Sequence, residues 1–235
     1  MALVDFTLEG HVAVMTMNSG ENRLNPSFLA AFTSALDEIE QKTGATVIVV
    51  RSAHEKIWSN GLDLDWLITV ANQPEVAKPF FLDLMAYYKR ILMSPCLTIA
   101  CINGHAFAGG AIGACAYDFR FMRTDRGFFC FPEVDINIPF LPGMMALLKT
   151  AMPPATLNDL ALTGKRLTAD QAVAAGLVMS AAPNEELMNL VMNFAKAQNK
   201  KRATVKGIKN TLYAEAVHIM DTEDTPIIES GRLYV

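Results

Sequence analysis

The sequence has no Cys-x-x-Cys pair, no Cys/His spacing suited to a metal, and no excess of positive charge. Its four cysteines (Cys96, Cys101, Cys115, Cys130) stand singly. Three lie in an apolar stretch, where a reduced thiol behaves as a small hydrophobe; a reducing, cytoplasmic setting and no metal site are expected. The net charge of −4 gives no general basic field, which argues against nucleic acid as a partner. Residues 91–117 carry no formal charge, but glycines, Asn103 and His105 interrupt them, which argues against a membrane span. Met1-Ala-Leu-Val-Asp5 lacks the basic start and apolar core of a signal peptide, and Arg232-Leu-Tyr-Val235 is not a peroxisomal address of the Ser-Lys-Leu type.

What is present is a chain of 235 residues, 51% apolar and 19% charged, long enough for one domain with a large core. Residues 3–8 and 11–17 read as a hairpin around Glu9-Gly10. Asn25-Pro26 opens a helix with an apolar stripe of Phe28, Leu29, Phe32, Leu36 and Ile39, and residues 46–51 form a buried strand. Residues 72–78 read as a mobile connection before a second helix. That helix carries the stripe Phe80, Phe81, Leu84, Met85 and Tyr88, part of which could wall an apolar pocket. Short strands are expected at 119–122 and 128–131, then a helix around 143–149, and only helices thereafter, at 185–197 and from 201 to about 220. The class is α/β with an all-helical tail.

The chain is organised around residues 95–118. Leu97 to Ile102 read as a strand buried on both faces, Asn103-Gly104 as a turn, and Ala108-Gly109-Gly110 as the start of a closely packed helix. A strand, a glycine turn and a helix start aim unpaired backbone N–H groups at one point, which suits a phosphate or a developing oxyanion. Ala108-x-Gly110-x-x-Gly113 half-matches the dinucleotide fingerprint, with alanine in the first glycine position, and is a weak signal for it. Ser59-Asn60-Gly61-Leu62-Asp63-Leu64, after Trp58, is a second strand-to-helix junction with its own glycine. Two donors converging on one carbonyl oxygen make an oxyanion hole. Enolate chemistry also needs a base, and Glu133 is the candidate: it lies in an apolar run where desolvation raises a carboxyl pKa.

Three blocks, Ser59 to Leu64, Asn103-Gly-His-Ala-Phe-Ala-Gly-Gly110 and Pro132-Glu133-Val134, together resemble the crotonase (enoyl-CoA hydratase/isomerase) family in order and spacing, closest to the short Δ3,Δ2-enoyl-CoA isomerases. The resemblance implies a crotonase-like spiral of ββα turns over residues 1–182 and a C-terminal helical oligomerisation segment over 183–235. It implies a homotrimer or hexamer and a coenzyme A thioester as substrate, with no separate cofactor. The N–H groups of Leu62 and Gly109 would form the oxyanion hole and Glu133 would be the acid/base. The backbone around Asn22, Arg23 and Leu24 and around Trp58, Ser59 and Asn60 would cradle the adenosine part, with Gly61, Asp63, Gly110 and Ile112 completing the substrate site.

One departure is informative. Hydratases of the family carry a second glutamate where this chain has Ile112, and water addition needs two carboxylates. A single Glu133 suits a 1,3-proton shift; a hydratase and a non-catalytic acyl-CoA-binding member are the alternatives. Asn137 replaces a family glycine and tolerates the left-handed conformation. His105 reads as a turn residue with a structural hydrogen bond, Asp63 as a helix cap, Asp135 as an exposed loop carboxylate, and Lys206 and Lys209 as a solvated helix face that could alternatively meet coenzyme A phosphates.

Overall fold

Alternation along the strands sends successive side chains to opposite faces, and in the inner strands of the large sheet both faces are covered. The computed structural model describes residues 2–231; Arg232–Val235, read above for a targeting signal, lie outside them. Strands β1 (Val4–Glu9) and β2 (Val12–Met17) form the expected antiparallel hairpin. Onto β2 are added, all in parallel, β3 (Val47–Ser52), β5 (Leu97–Ile102), β7 (Phe119–Arg123) and β9 (Ser180–Ala182). The sheet order is β1-β2-β3-β5-β7-β9. Ile48, Val50, Ala100, Ile102 and Met122 face the main core; Val47, Val49, Ile99, Cys101 and Phe121 face the other way, onto Leu187, Val191 and Ala195 of α8 (Asn184–Lys196). Such two-sided burial is why these strands read as continuous apolar runs.

A second sheet of three short parallel strands, β4 (Ile57–Ser59), β6 (His105–Phe107) and β8 (Phe129–Cys130), has the order β4-β6-β8. The chain therefore repeats one motif: a strand in the large sheet, a strand in the small sheet, then helix. After β3 and β4 come α2 (Leu64–Thr69) and α3 (Pro74–Leu92); after β5 and β6, α4 (Gly109–Ala114); after β7 and β8, a 3-10 turn (Pro132–Val134) and α5 (Pro142–Ala151). This is the spiral of ββα turns. Helix α1 (Pro26–Lys42) starts where Asn25 caps it, its side-chain oxygen accepting from the Phe28 N–H at 3.0 Å.

The structure corrects several sequence-based boundaries. The connection expected over residues 72–78 is shorter: the link from α2 ends at Gln73, and α3 begins at Pro74, in the first turn where its missing N–H costs nothing, and runs through Pro79. His105, expected as a turn residue, opens strand β6 (His105–Phe107), and the last third is not helices only, because β9 pairs with β7. Helices α6 (Pro154–Thr163) and α7 (Ala169–Ala174) precede β9. The expected helix from 201 to about 220 is α9 (Arg202–Leu212) and α10 (Ala214–Thr222), broken at Tyr213, with α11 (Asp224–Ser230) following.

Lys209 is the largest correction. It is not on a solvated face: its ammonium is buried against Asp118 at 2.7 Å and donates to the Cys96 carbonyl at 3.1 Å. Asp118 also accepts from the Thr98 N–H at 2.8 Å. Removing one partner of a buried pair like this typically costs about 3–5 kcal/mol, since the other charge is left unpaired. Lys209 thus ties α9 to the large sheet and has no charge to offer a phosphate; Lys206 remains exposed.

Candidate functional site

The small sheet decides where the chemistry sits. Its three strands are parallel and adjacent, so their C-terminal ends fall side by side, about 4.8 Å apart. Each strand is followed within three residues by one candidate: Leu62 after Ser59, Gly109 after Phe107, Glu133 after Cys130. Three successive repeats thus deliver three groups to one place. All three line one cavity of about 730 Å³.

The two backbone donors come close because neither Gly61 nor Gly110 has a side chain. A Cβ on Gly61 would lie 2.8 Å from the Gly109 nitrogen, and one on Gly110 would lie 2.6 Å from the Ser59 carbonyl oxygen. Gly61 also has φ +77°, in the left-handed region. The segment before it is held by Leu24, whose N–H donates to the Gly61 carbonyl at 2.7 Å and whose carbonyl accepts from Asp63 at 3.0 Å. The N–H of Leu62 takes no part in that ladder. Among the described residues neither it nor the Gly109 N–H donates to any group of the chain. Gly109 opens α4 behind Ala108, which has φ +49° and ψ −131°, a conformation a residue with a Cβ adopts only under constraint.

Glu133 sits in the 3-10 turn and is 6% exposed. Its Oε2 has no hydrogen-bond partner among the described residues. Burial pushes its pKa up from the usual 4.5 to about 7, opposed only by a backbone hydrogen bond within its own residue. The remaining wall is almost entirely apolar: Leu67, Phe81 and Leu84 on one side, Ile138, Phe140 and Met144 on the other. The stripe of α3 thus does wall a pocket, through Phe81, Leu84 and Tyr88. Ile112, in the position of the second family glutamate, is 2% exposed and also lines it.

The other expected binding residues divide in two. Asn22, Leu24, Trp58 and Ser59 turn their side chains inward. Asn22 donates to Ser52 Oγ at 2.7 Å and to the Trp58 carbonyl at 2.9 Å; the Trp58 indole packs edge-on against Tyr117; Ser59 Oγ donates to the Asn22 carbonyl at 2.8 Å. Only backbone atoms of this layer can face a ligand. Arg23, Asn60 and Asp63 lie nearer the surface. Arg23 bonds Glu21 at 2.8 Å and Asp65 at 2.9 Å on an open polar groove, and Asn60 also donates to Glu21, at 3.1 Å. Asp63 caps α2, accepting from the Trp66 N–H at 3.2 Å.

His105 accepts from the Phe128 N–H at 3.2 Å, Asp135 is exposed, and Asn137 has φ +56°. Three parts of the site escaped sequence reading: the wall from Ile138 to Pro142, Ile227 of α11, and the bond from Tyr88 to α4. Nothing local marks the first two, since only tertiary packing carries them to the cavity.

A parallel-rich α/β spiral with two unpaired N–H groups and one carboxyl in an apolar cavity is thus the frame. The chain belongs to the enoyl-CoA hydratase/isomerase family, whose sequence pattern matches residues 7–225. It is similar to enoyl-CoA delta isomerase 2, peroxisomal, of Arabidopsis thaliana, with 30% identity over 92% of this chain and 95% of that protein. Among solved structures, an enoyl-CoA hydratase/isomerase family protein from Pseudomonas syringae shares the fold with a TM-score of 0.88 at 24% identity, covering 97% of each chain. Human mitochondrial delta3-delta2-enoyl-CoA isomerase does so with a TM-score of 0.88 at 20% identity, over 97% of this chain and 90% of that one. No helix among the described residues is long and apolar enough to cross a membrane.

Proposed function

We propose that this protein is an isomerase that moves the double bond of a 3-enoyl-CoA to the 2-position by a one-base 1,3-proton transfer. The observation that carries the reading is the buried Glu133 carboxyl, whose Oε2 has no hydrogen-bond partner among the described residues, in an apolar cavity also lined by Leu62 and Gly109, whose N–H groups find no acceptor among those residues. The thioester oxygen accepts from both donors. The Glu133 carboxylate takes a proton from C2, the electrons move onto that oxygen as a dienolate, and the Glu133 carboxyl returns the proton to C4. A pKa of about 7 lets one group do both steps near neutrality. Ile112 offers nothing to hold or deprotonate a water, which favours isomerisation over hydration. The similarity to a relative named as an enoyl-CoA delta isomerase points the same way. Coenzyme A enters as part of the substrate, and the chemistry needs no further cofactor.

Straight-chain 3-enoyl-CoA esters of several lengths test this. The expected product is the conjugated 2-enoyl-CoA, without 3-hydroxyacyl-CoA. Because the base works ionised and its pKa is raised, kcat/KM should be low below pH 6 and rise to a plateau with a midpoint of about 7. Hydration of a 2-enoyl-CoA at a comparable rate would make the protein a hydratase, and tight binding without turnover would make it an acyl-CoA-binding member. Assembly as a homotrimer or dimer of trimers belongs to the same reading; Ile208 and Leu212, 60% and 64% exposed on α9, supply apolar surface for it. Sedimentation showing only a 25.7 kDa species at micromolar concentration would refute that part.

A further inference from the structure

Tyr88 is fully buried on α3, 21 residues away in sequence from the start of α4, yet its hydroxyl donates to the Gly109 carbonyl at 2.8 Å. The contact is close on the other side too: a Cβ on Gly109 would lie 3.0 Å from the Tyr88 hydroxyl oxygen, and one on Gly113 would lie 3.2 Å from the Tyr88 ring. Glycine at 109 and 113 therefore lets the tyrosine lie flat along the first turn of α4. The ring also forms part of the cavity wall that holds Glu133.

The turn it touches is the one most in need of support. Ala108 has no side-chain cap to offer α4 and adopts a strained conformation, and the Gly109 N–H that follows finds no acceptor among the described residues. The Ala108 carbonyl, in the same peptide plane as that N–H, accepts from Ile112 at 2.9 Å. The helix thus holds the peptide before Gly109, and Tyr88 adds a hydrogen bond from outside the helix to the peptide after it. Burial raises the Tyr88 pKa well above its ordinary value, so the hydroxyl stays a neutral donor throughout the working pH range.

We infer that Tyr88 is a positioning residue: its hydroxyl, bonded to the Gly109 carbonyl, holds the Gly109–Gly110 peptide on the far side of the Gly109 Cα and so anchors the first turn of α4, with the Gly109 N–H on the near side pointing at the oxygen that gains charge during the reaction. The role rests on the proposed isomerase reading but acts through the donor and not through Glu133. A donor held in advance favours the enolate over the ground-state thioester, so its loss should fall on kcat more than on KM.

The test is Tyr88→Phe, which removes one oxygen and keeps the ring. With a 3-enoyl-CoA, kcat should fall about tenfold while KM stays within twofold, and the pH midpoint of about 7 should not move, because Glu133 is untouched. Binding gives an independent arm: a 3-ketoacyl-CoA, which can bind as its enolate, should lose about tenfold in affinity, whereas the saturated acyl-CoA of equal length should bind as before. Tyr87→Phe, at a neighbouring buried tyrosine outside the cavity wall, is the control and should leave all these values alone. If Tyr88→Phe changes neither kcat nor the preference for the 3-ketoacyl ligand, or weakens both ligands equally, the inference is wrong. If the Phe variant proves unstable, Tyr88→Leu compared at a temperature where it is folded must show the same loss of preference. Absence of turnover in the unaltered protein would count against the isomerase reading alone, since the binding arm still reports on the donor.

Discussion

Replacing Glu133 by glutamine should lower kcat by about 10²–10⁴ while leaving acyl-CoA binding in place. The substitution keeps the shape of the side chain and removes its ability to carry a proton. It should also make the protein more stable. A carboxyl whose pKa is raised in the fold binds its proton more tightly there than in the unfolded chain. Its destabilising effect is absent below pH 4.5, grows as the pH climbs, and is complete above about 7. The gap between 4.5 and about 7, at about 1.4 kcal/mol per pH unit, is about 3 kcal/mol, or a rise in Tm of about 5–10 °C for Glu133→Gln at pH 8 and little at pH 4. A slower but more stable variant is the combination expected of a group kept buried for function. Isotope tracing adds a mechanistic check: when the reaction runs in deuterated water, part of the C2 proton should reappear at C4, because one carboxyl carries it across. An unchanged turnover number would move the search to Asp135 or a bound water.

The second large effect concerns Leu62, whose side chain matters less than its N–H. Leu62→Ala should be nearly silent in kcat, whereas Leu62→Pro deletes the donor. The loss of one oxyanion-hole donor typically costs about 2.7–4 kcal/mol of barrier, so kcat should fall by about 10²–10³. The fold makes this a fair experiment. The bonds that join this segment to Leu24 use the Gly61 carbonyl and the Asp63 N–H, not the Leu62 N–H, so proline breaks no rung of that ladder. Circular dichroism and a melting curve would establish that the variant is folded. Full activity in a folded Leu62→Pro protein would show that the oxygen is held elsewhere.

Much of this was legible in local sequence. The runs 46–51 and 97–102 are buried strands because their side chains are apolar in both phases of the alternation, and the structure shows why: α8 covers the face that the main core leaves open. Asn25-Pro26 starts α1 through a side-chain cap, and Asp63 caps α2, both chemistries that act within three residues. The left-handed Asn137 is local in the same sense.

What failed was whatever depends on a distant partner. Ser180-Ala-Ala182 has little strand preference of its own; it is a strand because β7 offers it an edge. His105–Phe107 is too short to announce itself and is held by β4 and β8 on either side. Lys209 looked like a solvent-facing lysine of an amphipathic helix, and only the approach of Asp118 from the large sheet makes it a buried ion pair.

By itself the sequence determined the α/β class, the strand–glycine–helix junctions and the residue types able to donate to an oxygen or move a proton, because each depends on neighbours within one turn or strand. The tertiary structure alone decided that Leu62, Gly109 and Glu133, up to 71 positions apart, follow adjacent strands of one three-stranded sheet. It alone decided how far Glu133 is desolvated, that Tyr88 reaches the Gly109 carbonyl, and that the α5 wall and Ile227 close the cavity. Desolvation and convergence are properties of what surrounds a group, and those surroundings come from parts of the chain far away in sequence.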